Sequence, residues 1–190
     1  DMALKLREDI RNTPIRDITD VEHMDELNTE AQQTLTRVKL LADLFIGEVL
    51  SFTGNSKKLQ ERLDTLSVVV DDVFVNDKEA NRKYRIEARK KLDLDLPLGK
   101  PHRRPFHWAL EFPEVFQSGG FDAICGNPPF SGGQHLTGSL GTAYRDYLVN
   151  QIADGAKGSA DLVAYFYLNA YDLLKNGGVF GLIACNTIAE

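Results

Sequence analysis

The sequence predicts an α/β fold in which a long helical hairpin stands ahead of a parallel sheet. Two observations carry this. Apolar residues recur at spacings of three and four through two long stretches of the first half, as in helices with one buried stripe. Two short apolar runs, Phe121–Gly126 and Val179–Cys185, flank a helical segment in the second half. Strand–helix–strand with unbroken apolar strands indicates a parallel sheet. A boundary near residue 95 separates the halves, 1–95 helical and 96–190 α/β.

In chain order, Pro14 closes a first short helix. Thr19-Asp20-Val21-Glu22 reads as a capping box, with Thr19 as N-cap and Glu22 reaching back. Met24, Leu27, Ala31, Leu35, Val38, Ala42, Phe45 and Val49 then make one stripe along about 45 Å of helix. Thr53-Gly54-Asn55-Ser56 is a turn, and Leu59, Leu63, Leu66, Val70 and Val73 form a second stripe. Two long helices joined so closely should pack as an antiparallel hairpin. Asn76 and Glu79 cap a third helix ending about Leu92, and 93–104 is a linker rich in proline and charge. After the strand at Phe121–Gly126, Ser131-Gly132-Gly133-Gln134-His135 reads as a flexible loop and Thr142–Ala153 as an amphipathic helix. Ser159 or Asp161 caps a last helix reaching about Lys175, stopped by Asn176-Gly177-Gly178. Ligands bind beyond the carboxyl ends of the strands in such sheets, where Asn127 and Asn186 both fall.

Composition narrows the function. The chain is 43% hydrophobic, ordinary for a globular protein. No apolar run approaches the ~18 residues of a membrane span. The start has no signal-peptide pattern, so a cytoplasmic protein with no membrane partner is expected. Two cysteines cannot build a disulfide framework; Cys125 and Cys185 read as small buried hydrophobes in a reducing compartment. The histidines show no metal-ligand spacing, so no metal is expected. A net charge of −6 argues against a nucleic-acid coat protein, yet leaves room for a local basic surface. Arg82, Lys83, Arg85, Arg89, Lys90 and Lys91 face a single acidic residue, Glu87, within ten residues, and Arg103 and Arg104 follow. Arg82, Arg85, Arg89, Arg103 and Arg104 are therefore candidates to contact phosphates. The alternative is a solvated helix face.

Asn127-Pro128-Pro129-Phe130 follows the first strand directly. Proline ends sheet pairing and fixes φ at about −65°, and Pro128 pushes Asn127 out of helical geometry. The result is a frozen turn holding an amide, a backbone carbonyl and an aromatic face in fixed relation. Such an arrangement suits a planar, amino-bearing ring.

This tetrapeptide resembles the motif of the amino-methyltransferases that use S-adenosylmethionine (SAM), in which it follows the fourth strand of a Rossmann-like sheet. Phe106-His107-Trp108, Glu111-Phe112-Pro113-Glu114-Val115-Phe116 and Ser159-Ala160-Asp161-Leu162 sharpen the likeness. Over residues 105–190 the chain is similar to the large bacterial DNA adenine methyltransferases of the type IIG restriction–modification group and their phage-defence relatives. The resemblance implies a partial Rossmann-like methyltransferase sheet preceded by a helical insert: 1–95 the insert, 96–190 the catalytic-motif half of a class I methyltransferase domain. It implies SAM as cofactor, bordered by Asn127 and Pro129, and double-stranded DNA with a flipped adenine as partner. The Asn127 side-chain oxygen and the Pro128 carbonyl would each accept one N6–H, and Phe130 would stack on the base.

The glycine-rich SAM loop of that family is not found upstream of Asn127; Gly132, Gly133, Gly138 and Gly141 come after it. The nuclease signature of bifunctional members is also absent from the sequence. The chain is thus expected to be the middle of a larger enzyme, inactive alone, with the missing remainder of the same polypeptide as partner. Two other readings stay open: the same chemistry on ribosomal RNA or protein glutamine, and a non-catalytic helical interaction module.

Overall fold

A computed structural model describes residues 2–52, 56–74, 78–156 and 160–184. Four helices come first: α1 (Met2–Asn12), α2 (Ile18–Ser51), α3 (Ser56–Phe74) and α4 (Lys78–Leu92). The predicted turn at 53–55, the cap at Asn76, Ser159, Cys185 and Asn186 lie outside the described residues.

The start of α2 differs from the sequence reading. Its N-cap is Asp17, two residues before Thr19, and the box partner is Asp20 rather than Glu22. Asp17 Oδ1 accepts the Thr19 N–H at 2.8 Å and the Thr19 hydroxyl at 2.5 Å. A carboxylate accepts more strongly than a hydroxyl, so Thr19 serves as donor to the cap. These bonds, with the side-chain bond from Thr19 the largest cause, hold the Asp17 carboxyl below its ordinary value.

The hairpin acquires a third member. The α2 stripe packs against both α3 and α4 around Leu40, Leu44, Val73, Tyr84 and Ala88. Arg62 of α3 pairs with Glu48 at 2.6 Å, and Arg37 donates to the Phe74 carbonyl at 3.0 Å. These contacts show α3 running antiparallel to α2. α4 runs parallel to α2, its last turn bringing Lys91 to the buried Glu48. Gly47 permits this approach, since a Cβ there would sit 3.0 Å from Lys91 Cβ.

The second half begins with two short helices, α5 (Trp108–Glu111) and α6 (Pro113–Gln117), then β1 (Phe121–Gly126). Phe106, Trp108, Phe112 and Phe116 form a ring cluster about Phe121, with Trp108, Phe112 and Phe116 at 5.5–5.8 Å from it. This block also docks onto the helices. Glu111 accepts from Lys39 at 2.5 Å and Gln32 at 2.8 Å, His107 meets Asp43 at 2.9 Å, and Arg7 pairs with Glu114 at 3.6 Å.

Beyond the Asn-Pro-Pro-Phe turn the chain forms α7 (Gly133–Leu140) and α8 (Thr142–Tyr147), the latter continuing as a π-helical turn, Leu148–Ile152. The predicted loop at 131–135 is thus half helix. Leu136, 2% exposed, anchors α7 into a cluster with Leu148 and Tyr165, which offsets the glycines' cost. Asp161 caps α9 (Leu162–Leu173), as one of the two expected positions, and β2 (Leu174–Leu182) follows without a break.

β1 and β2 pair in parallel, the only sheet among the described residues. Phe121 faces Leu174, but Ala123 already faces Val179. The residues between, including Gly177 at φ +81°, bulge out where the sequence suggested a helix stop. The strands are less buried than their composition predicts. Cys125 is exposed, as are Ala123, Val179 and Ile183. The aromatic cluster covers the start of β1, while Tyr167 of α9 reaches β2 through the Phe180 ring and the Leu182 carbonyl. The remaining sheet surface has no cover among the described residues.

Candidate active site and basic groove

The Asn-Pro-Pro-Phe turn is braced at both ends. Before it, the Gly126 carbonyl accepts the Ile183 N–H at 3.0 Å. After it, Ser131 donates to Asp161 Oδ1 at 3.2 Å, and the Ser131 carbonyl accepts the Leu162 N–H at 2.9 Å. The same Asp161 oxygen accepts from Val163 as the α9 cap. One carboxylate therefore fixes both the start of α9 and the residue next to Phe130.

Between these braces the turn leaves two of its oxygens without partners among the described residues. Pro128 is buried; Asn127 and Pro129 are exposed. Neither the Asn127 amide nor the Pro128 carbonyl has a hydrogen-bond partner among the described residues. Phe130 is 52% exposed and touches no other ring among them. Two oxygens and an aromatic face thus stand unclaimed beyond the carboxyl end of β1. A cleft of about 770 Å³ borders the turn at Ser131, lined by Phe106, Trp108, Tyr144, Phe166 and, at its basic rim, Lys100 and Arg104.

The five candidate arginines separate. Arg82, Arg85 and Arg89 line a groove of about 970 Å³ between α2 and α4. Arg104 is exposed at the other cleft. Arg103 is a correction to the sequence reading: it works inside the protein. Its Nη1 donates to the Leu92 and Leu94 carbonyls, each at 2.7 Å, and its Nη2 to Leu140. Its guanidinium also lies 5.6 Å from the Tyr144 ring centre, and only 11% of its side chain is exposed. With these donors occupied it ties α4 to the α7–α8 junction and has little left to offer a phosphate.

Sequence reasoning missed the second role of Asp161 and the Glu111, His107 and Glu114 contacts. The block 106–116 was legible as a pattern but not as a dock, because its partners lie 64 to 107 residues upstream, in α1 and α2, with no local spacing to reveal them. No group of His, Cys, Asp or Glu able to hold a metal ion occurs among the described residues, and no helix there is long and apolar enough to cross a membrane.

Comparison with known families adds the deciding observation. The Eco57I restriction-modification methylase family model matches residues 26–190. The chain belongs to this family. It is accordingly part of a DNA methyltransferase family, and the match runs through most of the helical half as well as the turn. No curated protein and no solved structure matches the chain. The matched span includes the braced turn and its two unclaimed oxygens.

Proposed function

We propose that the chain contributes the amine-binding half of a methyltransferase site that transfers a methyl group from SAM to adenine N6 in DNA, within a restriction–modification or phage-defence system. The observation that carries this reading is the exposed, unpartnered Asn127 amide beside the unpartnered Pro128 carbonyl, in a turn braced at Gly126 and Ser131.

The chemistry follows from what those atoms do. Adenine's amino lone pair is delocalised into the ring, so the nitrogen is a weak nucleophile. Two acceptors on its two N–H groups draw electron density onto it and favour the pyramidal, attacking form. Because the turn is already fixed, the acceptors need no reorganisation as charge develops. Phe130, half exposed, offers a stacking face to a base swung out of the duplex. SAM, when bound, supplies a methyl carbon on a sulfonium leaving group. Asn127 and Pro129, both exposed at the strand's carboxyl end, suit one flank of its site. No glycine-rich loop precedes β1, so the rest of that cradle is assigned to the remainder of the same polypeptide. Arg104, exposed on the cleft that borders the turn, is the arginine this reading assigns to a DNA phosphate; its exposure supports that role.

Asn127→Ala in the full-length enzyme is expected to slow methylation by about 10²-fold or more, with SAM affinity largely intact. Exposed, it should cost the fold no more than ~0.5 kcal/mol. Single-turnover methylation of adenine-containing duplexes measures this, and a rate equal to the parent's rejects the role. Phe130→Ala should weaken capture of the flipped base by ~1–3 kcal/mol, read as a smaller fluorescence rise from 2-aminopurine at the target position. Methyl transfer to RNA or protein, and none to DNA adenine, would defeat the substrate assignment.

A further inference from the structure

The groove between α2 and α4 has a composition that internal packing does not explain. Its α4 wall carries Arg82, Arg85 and Arg89, and Thr29 and Gln33 stand on the α2 wall. Arg89 is partly engaged, donating to the Arg103 carbonyl at 2.8 Å. Arg82 and Arg85 are exposed and have no hydrogen-bond or ion-pair partner among the described residues. Basic residues in a helix's last turn complement its dipole, which accounts for Arg89 but not for Arg82 and Arg85 in the middle turns. The one carboxylate lining the groove, Asp43, meets His107. A locally cationic trough with amide and hydroxyl donors on its far wall is thus present in a chain of net charge −6.

We infer that this groove binds the phosphate backbone of duplex DNA, as an anchoring site separate from the turn that handles the base. The inference rests on DNA being the substrate but not on the methylation chemistry. From Lys78 to Arg89 the helix rises about 16 Å, a length that passes about five phosphates of one strand at 3.4 Å each. Guanidinium forks suit bidentate phosphate contacts, and the polar α2 wall adds neutral donors to the same oxygens. Such contacts position DNA without reading its sequence.

The test is binding of the full-length protein to a fluorescein-labelled duplex by anisotropy across a salt series. Each phosphate contact adds about 0.9 to the slope of log affinity against log salt, so Arg82→Ala/Arg85→Ala should lower its magnitude by about 1.8. The loss should be equal on duplexes of unrelated sequence. Arg82→Lys/Arg85→Lys, which keeps the charges, should retain most of the slope, so that a folding defect is told apart from lost contacts. Lys5→Ala/Arg11→Ala, the same charge change away from the groove, should leave it intact. Asn127→Ala should bind with the parent's slope, so failure of the chemistry and failure of the groove read differently. An unchanged slope in the alanine pair, an equal loss in the Lys5/Arg11 control, or a groove that holds an acidic peptide while duplex binding is unaltered, overturns the inference.

Discussion

Asp161 has two tasks that a single substitution separates. Its Oδ1 caps α9 and holds the Ser131 N–H. Asp161→Ala is expected to cost about 1 kcal/mol of stability, as lost caps do, and also to free the residue following Phe130. Turnover should then fall while the Michaelis constant for SAM stays near that of the parent. Asp161→Asn retains a carbonyl acceptor and should restore most of both, whereas a cap without any role at the turn would show the stability loss alone. Arg103 gives the opposite case. Arg103→Lys keeps the charge but cannot span three carbonyls, so it should lower the thermal midpoint markedly. Each orphaned acceptor costs ~1–3 kcal/mol, and the salt slope of DNA binding should remain as in the parent. A lowered slope would return Arg103 to the DNA-contacting set.

At the scale of elements, two junctions depend on glycine. Gly120 opens β1 at φ +122°, where a Cβ would lie 2.7 Å from both the Leu173 carbonyl oxygen and the Lys175 nitrogen. Gly120→Ala should therefore destabilise by more than about 1 kcal/mol, measured by urea unfolding, and loosen the bulged start of the sheet. At Gly141, φ +90°, a Cβ would lie 2.5 Å from Asp95 Oδ1 and 2.6 Å from the Asp95 carbonyl oxygen, and the Asp95 carboxylate caps α8 from outside by accepting the Ala143 N–H at 2.8 Å. Contacts of this kind mark the boundary of what the sequence discloses. Periodicity exposed α2 and α3, because one stripe per helix is a local signal, α4 was read from a cap signal ahead of it, and Val179 was placed in its strand by its apolar run. The cap falls at Asp17 rather than Thr19 because the Asp17 carboxylate takes both the amide and the hydroxyl of Thr19, drawing Thr19 into the first turn as a donor. The helix at Gly133–Leu140 was hidden by its glycines, since the burial of Leu136 that stabilises it comes from α8 and α9. The tetrapeptide was legible because prolines restrict the backbone whatever surrounds them; the Asp161 brace was not, lying 30 residues on.

For the molecule as a whole, the interface between the helical half and the sheet half contains carboxylates. Burial pushes Glu111 upward, but the hydrogen bonds from Lys39 and Gln32 outweigh it and hold it below its ordinary value. Asp93 is likewise raised by burial and lowered further by the Arg103 N–H and by His102. A depressed carboxylate contributes stability above its unfolded value, about 4, and that contribution is lost as pH falls through the folded value. Urea midpoints should thus stay level from neutral pH to about pH 5 and drop below about pH 4. Glu111→Gln should show a lower midpoint at neutral pH and a shallower drop, and an undiminished acid drop would remove Glu111 from the account. The Arg103 clasp has a mechanical consequence. By joining the end of α4, the linker and the α7–α8 junction, it makes the separation between the Arg82–Arg85 trough and the Asn127 turn a ruler built into the chain. A strand seated in the trough would then offer bases to the turn at one distance only, so shortening or lengthening 93–104 should shift which nucleotide is reached.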